Sequence, residues 1–583
     1  MHSIGKELKA LFIKTTRAKN YEYIKLVEAY WEDGRSKQRV LYNFGRADLI
    51  RNDESFLKIV KRLCEIANIT ITDNKTSDED VFEGCGEALL YNYGYLAYMR
   101  LWNELGIADC VEEAQCDTKI SWSLSETVFL MALQHLLEPM SKLSTFERQN
   151  RYFQLQEIQL HHLYRALDRL SEQKEEIETG LFEHNYIRLN KKVDIVFYDV
   201  TTIHFESVIA DELRDFGFSK NCKFNEVQVV LGMIIDSDGL PVGYELFKGN
   251  TFDGKTMVET LKNIKRRFRI NRVIIVADRG LNSKGNLNLV KEAGYGYIMA
   301  AKIKGAAAIL QAKVLADEGF ADICDKQGNL SLRYKVLEHE NVFTDEDKVV
   351  HKLPENMIVT YSPKRAKKDK ADRERLIEKA KELLKTPEKI TASNKRGGKK
   401  YINQTSPENE QAIFSLAIEK IERDSKFDGY YAIQTSEKAM TATEIIDAYH
   451  TLWKIEESFR IMKSTLEMRP VYHWTPKRIE GHFVVCFLAF LMERKMELLL
   501  KNEDDAECPA SPQRIQEALN TLQLAAVTTK SGEKFIKAKP HPLAQRIFKR
   551  LKLKMPDNIS TKDALVACFK LQEDTLATQL TFL

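Results

Sequence analysis

The chain has 583 residues, a formal net charge of +3, 44% hydrophobic residues, 30% charged residues and nine cysteines. This length predicts several folding units with ample core, and this balance is typical of a soluble globular protein. The longest apolar run, Phe483–Met492, is too short to span a bilayer, and the absence of a C-x-x-C pair or of Cys/His zinc spacing argues against a zinc site and against a disulfide framework.

Two regions are predicted before residue 191. Alternating segments at 21–29 and 38–44, followed by a helix near 54–67, predict a small α+β domain over residues 1–75. Beyond a polar, acidic linker, residues 82–190 follow helical spacing. The residues alone leave open whether this helical domain binds a ligand or is purely structural.

Strands alternate with helices between residues 191 and 303. The Ser-Asp-Gly turn at 237–239 predicts a hairpin, and Ser283 is a predicted helix N-cap. An antiparallel start followed by alternating strands and helices predicts a mixed α/β sheet. The predicted strands are 193–204, 227–236, 242–247, 272–278 and 297–301, and the predicted helices are 255–269 and 283–293.

Two aspartates follow apolar, β-branched runs in this region. Asp199 lies near the end of the run 193–200, and Asp278 follows the run 273–277. An aspartate at the tip of a buried strand needs a group that neutralises its charge, although either residue alone could be an ordinary turn or cap residue. Hard oxygen ligands favour Mg²⁺ or Mn²⁺ over Zn²⁺.

The strand and helix pattern is interrupted over residues 304–427. This stretch predicts an inserted α+β domain, with strands near 330–337 and 357–361 and a basic helix at 370–384. Between Lys364 and Lys400 there are fifteen Lys or Arg residues and six Asp or Glu residues. Such an excess indicates a surface for a polyanion such as DNA, whereas most charge runs are only solvated faces.

A third acidic residue lies in a helix-forming segment. Tyr449, Glu456 and Lys463 follow one another at intervals of seven, which places them along one face of a single helix. Arg460 shares that face. A carboxylate between a phenol and two cations is well placed to bind a metal ion beside a phosphate. The alternative interpretation is an amphipathic helix whose spacing reflects packing alone.

The final part of the chain reads as helical. Residues 428–495 continue the strand and helix pattern, beginning with an alternating apolar strand at 429–435. The apolar run Phe483–Met492 predicts a buried helix. Residues 496–583 are predicted to be mostly helical, with a lysine-rich stretch, Lys530–Lys554, that either contacts nucleic acid or is ordinary surface.

Together these segments resemble the bacterial insertion-sequence DDE transposases, whose ribonuclease-H-like core is interrupted by an insertion domain. The third motif of that family reads Tyr, two residues, Arg, three residues, Glu, six residues, Lys. Tyr449, Glu456 and Lys463 match it, whereas Leu452 stands at the Arg position. The spacing selects Glu456 over Glu457 as the acidic residue.

The resemblance implies a fold. We expect a ribonuclease-H-like mixed sheet flanked by helices, with the core split into residues 191–303 and 428–495. We also expect the inserted α+β domain at 304–427 and largely helical N- and C-terminal regions, with residues 82–190 as a domain that reads DNA ends or has a structural or dimerising role.

The resemblance also implies a reaction. Asp199, Asp278 and Glu456 would bind two Mg²⁺ (or Mn²⁺) ions, cleave the ends of the element by hydrolysis and join the resulting 3′-OH to target DNA. The residues expected to contact DNA are Tyr449, Arg460, Lys463, Arg279, Lys395 and Arg396.

The implied partners are double-stranded DNA, as terminal inverted repeats and as target, and a second copy of the chain in a homodimeric synaptic complex. No membrane is involved, and the expected location is the bacterial cytoplasm at the nucleoid. Two alternatives remain: a transposase-derived DNA-binding protein, and a stand-alone metal-dependent nuclease without strand transfer.

Overall fold

A computed structural model describes most of the chain, and it divides the chain into two compact units. The first unit contains residues 1–84 and 529–532, and the second contains residues 85–528 and 533–583. The described residues are 10–18, 21–32, 35–50, 53–66, 89–116, 118–217, 225–251, 253–268, 273–278, 280–324, 327–344, 348–386, 397–405, 413–501, 510–529 and 532–570.

The first unit contains an antiparallel sheet and two helices. Its strands are β1 (Ala10–Ala18), β2 (Tyr21–Glu32) and β3 (Arg35–Arg46), in the order β1-β2-β3. Its helices are α1 (Ala47–Ile50) and α2 (Glu54–Ile66). The two strands and the helix predicted from the sequence are confirmed.

The second unit begins with a short strand and six helices. These elements are β4 (Leu89–Asn92), α3 (Tyr95–Glu104), α4 (Ile107–Glu113), α5 (Leu124–Leu137), α6 (Lys142–Arg148), α7 (Leu160–Glu172) and α8 (Lys174–Phe182). The hydroxyls of Ser123 and Ser141 cap α5 and α6 by accepting hydrogen bonds from backbone amides in the first turn. The predicted helical character of this region is confirmed.

The next elements form the centre of a mixed sheet. They are β5 (Ile195–His204), β6 (Gln228–Asp236), β7 (Pro241–Lys248), α9 (Asp253–Phe268), β8 (Ile274–Ala277), α10 (Lys284–Glu292) and β9 (Gly296–Ala300). The predicted hairpin joins β6 to β7, and Ser283 caps α10 by accepting from the Asn286 amide. These local predictions are confirmed. Turn and cap signals depend only on neighbouring residues, so the sequence alone contains them.

The interrupting stretch adds strands to the same sheet. Its elements are α11 (Ala308–Leu315), β10 (Ala321–Cys324), β11 (Leu330–Thr344), β12 (Val350–Tyr361), α12 (Pro363–Leu384), β13 (Ile402–Thr405), β14 (Ile413–Leu416) and α13 (Ile418–Ser425), and β15 (Tyr430–Thr435) follows. The nine-stranded sheet has the order β10-β11-β12-β15-β9-β8-β5-β6-β7. The stretch therefore contributes three strands to the edge of the main sheet, through the pairing of β12 with β15.

The last part of the chain is mainly helical but also contains short strands. Its elements are α14 (Ala442–His450), α15 (Trp453–Ser464), α16 (Pro476–Leu500), α17 (Pro512–Asn520), β16 (Gln523–Thr529), β17 (Gly532–Lys537), α18 (Pro542–Arg550) and β18 (Ile559–Thr561). The prediction of a helical region over residues 496–583 missed these strands. Strand β16 pairs with β4, which lies more than 400 positions earlier in the chain. The resulting sheet has the order β18-β17-β16-β4.

Helix α16 is buried on nearly all sides. The apolar run Phe483–Met492 lies within it, so its prediction as a buried helix is confirmed. Gly481 permits a close approach to α7, because a Cβ atom there would lie 2.0 Å from the carbonyl oxygen of Leu167. Within the described ranges, no helix combines the length and the apolar character that crossing a bilayer requires.

Candidate active site

Two of the predicted acidic residues lie on neighbouring strands. Strands β5 and β8 run parallel, and their last paired residues are Tyr198 and Ala277. Asp199 and Asp278 each come one position later in the chain. Because adjacent strands are about 4.8 Å apart, this register brings the backbones of the two aspartates side by side.

Asp199 lies near the end of its apolar run but inside a strand, in agreement with the predicted strand 193–204. Strand β5 continues to His204 because β6 pairs with it beyond the point where β8 ends, and Asp199 itself is opposite Met233. Asp278 directly follows β8, as predicted. One aspartate is therefore held within the sheet, and the other lies at a strand tip.

Both aspartates project to the same face of the sheet. Side chains alternate along a strand, so Asp199 shares a face with Phe197 and Asp278 shares a face with Val276. Phe197 and Val276 belong to one apolar core with Ile455 of α15. Helix α15 packs against β5 and β6, and α14 packs against β8 and β9. The two aspartates therefore lie on the face that α14 and α15 cover.

Polar contacts fix α15 near both of its ends. The Lys454 ammonium donates to the Ser237 carbonyl, at 2.5 Å, in the turn after β6. The Lys463 ammonium donates to the hydroxyl of Thr201. Thr201 lies two positions after Asp199 and therefore on the same face of β5. This contact brings a cation close to the first aspartate.

The segment that was predicted as one helix is divided in two. Helix α14 ends at His450 and α15 begins at Trp453, and Thr451 and Leu452 between them keep helical φ and ψ angles. The Leu452 amide donates to Tyr449 three residues back, which is the tighter 3₁₀ pattern. Tyr449 therefore reaches the site from α14, and the argument from a single helical face applies only within α15.

Tyr449 contacts the second aspartate. Its hydroxyl accepts a hydrogen bond from the Tyr431 hydroxyl on β15. Burial raises the pKa of the Tyr449 phenol well above its ordinary value of 10, and hydrogen bonds with Tyr431 and Asp278 raise it further. The phenol thus keeps its proton and donates a hydrogen bond to the Asp278 carboxylate, which ties the strand tip to α14.

Glu456 and Glu457 have different surroundings. Glu457 lies 3.5 Å from the Arg494 guanidinium and 3.1 Å from that of Arg460. Glu456 is exposed and makes no ion pair or side-chain hydrogen bond with any residue that the structure describes. Glu457 therefore has a structural role in holding α15, and Glu456 is available to a ligand. Arg460 is 72% exposed.

Comparison with known families decides the identity. The family model of the transposase DDE domain matches residues 191–492, more than half of the chain. The chain belongs to this family. Residues 12–73 match the N-terminal domain of IS1634 family transposases, so the resemblance drawn from the sequence is confirmed. The protein is an insertion-sequence DNA transposase, of a family whose members use divalent metal ions.

Other comparisons add little to this assignment. No curated protein matches the transposase. The piggyBac transposase synaptic complex with hairpin DNA has 9% identity and a TM-score of 0.34, over 75% of this chain and 82% of that one. The Mos1 transposase paired-end complex with the left transposon end has 14% identity and a TM-score of 0.14, over 31% of this chain and 60% of that one. Both similarities are too low to support an argument about the transposase.

The described part of the basic run borders a cavity beside the site. The cavity has a volume of about 320 Å³ and includes Lys304, Arg365 and Lys400 among its lining residues. Burial lowers the pKa of Lys304. The Arg365 guanidinium lies 4.5 Å from the ring centre of Tyr431, which contacts Tyr449. The basic helix α12 therefore reaches the neighbourhood of the aspartates.

The predicted site residues of the transposase thus fall into three groups. Asp199, Asp278, Tyr449 and Lys463 are brought together by the strand register and by side-chain contacts. Glu456 and Arg460 lie on the covering helix without a direct contact to these residues that the structure records. Arg279, Lys395 and Arg396 lie outside the described residues.

Sequence reasoning missed two residues at this site. Thr201 follows Asp199 by two positions, so strand alternation could have revealed that it shares the face of the aspartate. Tyr431 had no local signal, because its role depends on pairing between strands that are distant in the chain.

Proposed function

We propose that Asp199, Asp278 and Glu456 are the catalytic acids of the transposase. The main support is the parallel register of β5 and β8, which brings the backbones of Asp199 and Asp278 side by side beneath the helix that carries Glu456. Lys463 near Asp199 and Tyr449 on Asp278 add independent support. The strand order β7-β6-β5-β8-β9 also supports a ribonuclease-H-like core over residues 191–303 and 428–495.

The donor set fits divalent ions such as Mg²⁺ or Mn²⁺. All three side chains offer hard carboxylate oxygens, and Asp278 and Glu456 are accessible from solvent. Two such ions, when bound, supply the charge that activates the attacking oxygen and stabilises the leaving oxygen.

The surrounding side chains would position DNA. The Lys463 ammonium lies where it can neutralise a DNA phosphate next to Asp199. Arg460 lies one turn earlier on α15, and its exposed guanidinium can contact the DNA backbone. Tyr449 keeps Asp278 in place by its hydrogen bond. Phosphoryl transfer depends mainly on such positioning and charge neutralisation, with no covalent protein intermediate.

The remaining parts of the chain would serve DNA ends and assembly. We propose that the helical region 82–190 reads the terminal inverted repeats, and that the basic stretch around Lys395 and Arg396 contacts DNA backbone. The inserted region 304–427 would border the active site through α12. Two copies would pair in the synaptic complex, at the bacterial nucleoid where the target DNA lies.

A cleavage and joining assay tests the proposal. The full chain is incubated with Mg²⁺, a labelled duplex of the element end and a target plasmid. Wild type should give a nick with a 3′-OH and then a joined product. Glu456→Gln should reduce both by at least about 10³-fold, equivalent to about 4 kcal/mol, and should still bind the duplex.

Glu457→Gln is the matched control. It removes the ion pairs with Arg494 and Arg460 but no proposed ligand. Because Lys454 and Lys463 still attach α15 to the sheet, its cleavage should remain close to wild type. The reverse result, in which only Glu457→Gln abolishes cleavage, would refute the assigned helix register. Nicking without joining would favour the stand-alone nuclease, and DNA binding without nicking would favour the transposase-derived DNA-binding protein.

A further inference from the structure

A buried group of two histidines and a cysteine lies apart from the three acids. His135 is on α5, and His482 and Cys486 are one turn apart on α16. Their relative exposures are 3%, 4% and 0%. One ligand atom from each lies within 4.8 Å of the others. The sequence suggested no zinc site because the three residues have no zinc-motif spacing, and the group exists only because α5 packs on α16.

The distances suit one small metal ion. The Cys486 sulfur lies 3.5 Å from His482 Nε2 and 4.0 Å from His135 Nε2. Zinc binds imidazole nitrogen at about 2.0 Å and thiolate sulfur at about 2.3 Å in a tetrahedron, which places neighbouring N and S atoms about 3.5 Å apart. Both sulfur–nitrogen distances are therefore within about half an ångström of this geometry.

Hydrogen bonds leave nitrogen atoms available for coordination. His135 donates from Nδ1 to the Leu466 carbonyl, at 2.8 Å, because a carbonyl can only accept. Its Nε2 lone pair therefore points towards Cys486, as in histidines that bind metals through one nitrogen and a backbone group through the other. Nδ1 of His482 is buried and finds no hydrogen-bond partner in the described part of the chain. Nε2 of His482 contacts the Met468 carbonyl at 3.2 Å and the Cys486 sulfur at 3.5 Å. Because a carbonyl can only accept, Nε2 carries the ring proton here, and metal binding at Nε2 requires that proton to move to Nδ1, with loss of the contact to Met468.

A cavity next to the group gives room for a fourth ligand. It has a volume of about 130 Å³, and His135, Lys142, His473 and His482 are among its lining residues. The Lys142 ammonium lies 3.4 Å from His135 Nε2, and its flexible side chain can turn into this space when a cation binds. Water or the His473 imidazole can then complete the tetrahedron.

We propose that His135, His482 and Cys486 bind one Zn²⁺ ion, at a site separate from the carboxylates. Imidazole and thiolate are ligands that zinc prefers and Mg²⁺ does not. The Cys486 thiol loses its proton to solvent as the Zn–S bond forms. The ion joins α5 to α16 within the core.

The site also bears on the catalytic helix. His135 donates from Nδ1 to the carbonyl of Leu466, two residues after the end of α15. A metal ion bound to Nε2 of His135 would therefore stabilise the segment that follows the helix carrying Glu456. This effect on activity rests on the proposed function, whereas zinc binding itself does not.

Cobalt substitution tests the site in the full-length protein. Co²⁺ is added to metal-free protein prepared without a histidine tag, and the thiolate-to-cobalt charge-transfer band is recorded, together with zinc content by mass spectrometry. Wild type should show the band and bind one zinc per chain. Cys486→Ser should lose the band, and His135→Gln should weaken zinc binding at least about 100-fold.

Two controls make the outcome decisive. Cys110→Ser changes another buried cysteine, on α4, and should keep the band. Glu456→Gln should also keep it, which separates this site from the carboxylates. Folded wild-type protein without a thiolate band or bound zinc would overturn the proposal, as would a Cys486→Ser variant that retains both. Circular dichroism verifies that each variant is folded.

Discussion

Burial of Glu493 should make the stability of the transposase fall as the pH rises through neutrality. This carboxyl lies on α16 and is 1% exposed. The Tyr98 hydroxyl donates to its Oε2 at 2.6 Å, and its Oε1 has no hydrogen-bond partner among the residues that the structure describes. Burial raises the pKa of Glu493 from 4.5 to about 8, and the nearby charge of Glu497 contributes.

The sign of the effect follows from proton binding. The folded chain holds the Glu493 proton more tightly than the unfolded chain does. The contribution of this proton to the free energy of unfolding is therefore fully present below pH 4.5 and is lost as the pH rises through about 8. Each pH unit in this window changes the free energy by about 1.4 kcal/mol, so the total is on the order of 5 kcal/mol.

Glu493→Gln removes the proton equilibrium and keeps an oxygen that accepts from Tyr98. Urea unfolding from pH 5 to pH 9, followed by tryptophan fluorescence, measures the free energy of unfolding of both proteins. The variant should be within about 1 kcal/mol of wild type at pH 5 and more stable by about 4 kcal/mol at pH 8.5. Glu517→Gln, a change of an exposed carboxyl on α17, should keep the wild-type pH dependence.

Parallel pH profiles for wild type and Glu493→Gln would refute this reasoning. They would mean that the carboxyl is ionised in the folded protein, through water or a rearrangement that stabilises its charge. The difference between the two profiles is the decisive quantity, because the other titrating groups contribute equally to both proteins.

Two further changes test the packing and the site. Gly481→Ala should destabilise the fold by about 3 kcal/mol or more because its Cβ would overlap Leu167. In the control Gly285→Ala, the new Cβ meets no atom within 4 Å, so stability should change by at most about 1 kcal/mol, in the stabilising direction. Equal urea midpoints for the two variants would contradict the close contact of α7 and α16. Lys463→Met removes the ammonium that donates to Thr201 and that we propose contacts the scissile phosphate. A charged hydrogen bond to that phosphate is worth about 1.5–3 kcal/mol, so its loss in the transition state should slow single-turnover cleavage about 10- to 100-fold. An unchanged cleavage rate would show that Lys463 has no role near the scissile phosphate.

Local signals in the sequence predicted the centre of the sheet well. The hairpin between β6 and β7 follows from a Ser-Asp-Gly turn, and the start of α10 follows from a serine whose hydroxyl accepts from an amide three residues later. Such signals depend only on neighbouring residues, so they are readable without tertiary structure. The same is true of α16, because its continuous apolar run requires burial.

Features that depend on distant contacts were not predictable in the same way. The predicted strand 193–204 placed Asp199 inside a strand, but the sequence cannot show that β8 stops beside it while β6 continues to pair with β5. The break at Thr451 and Leu452 was hidden because both residues keep helical angles and preserve the spacing of seven. Strand β16 was missed because its partner β4 lies near the other end of the chain.

The position of α15 explains why its surroundings matter as much as its acids. Its apolar side chains Ile455, Phe459 and Met462 are buried in the core, and each contributes about 1.5–3 kcal/mol to packing. Lys454 and Lys463 fix the helix to the sheet, and the carbonyls that follow it are held by the buried histidines. A helix with these attachments cannot shift without breaking several contacts at once. The exposed Glu456 side chain can therefore approach a ligand by rotating about its own bonds while the helix that carries it stays in place.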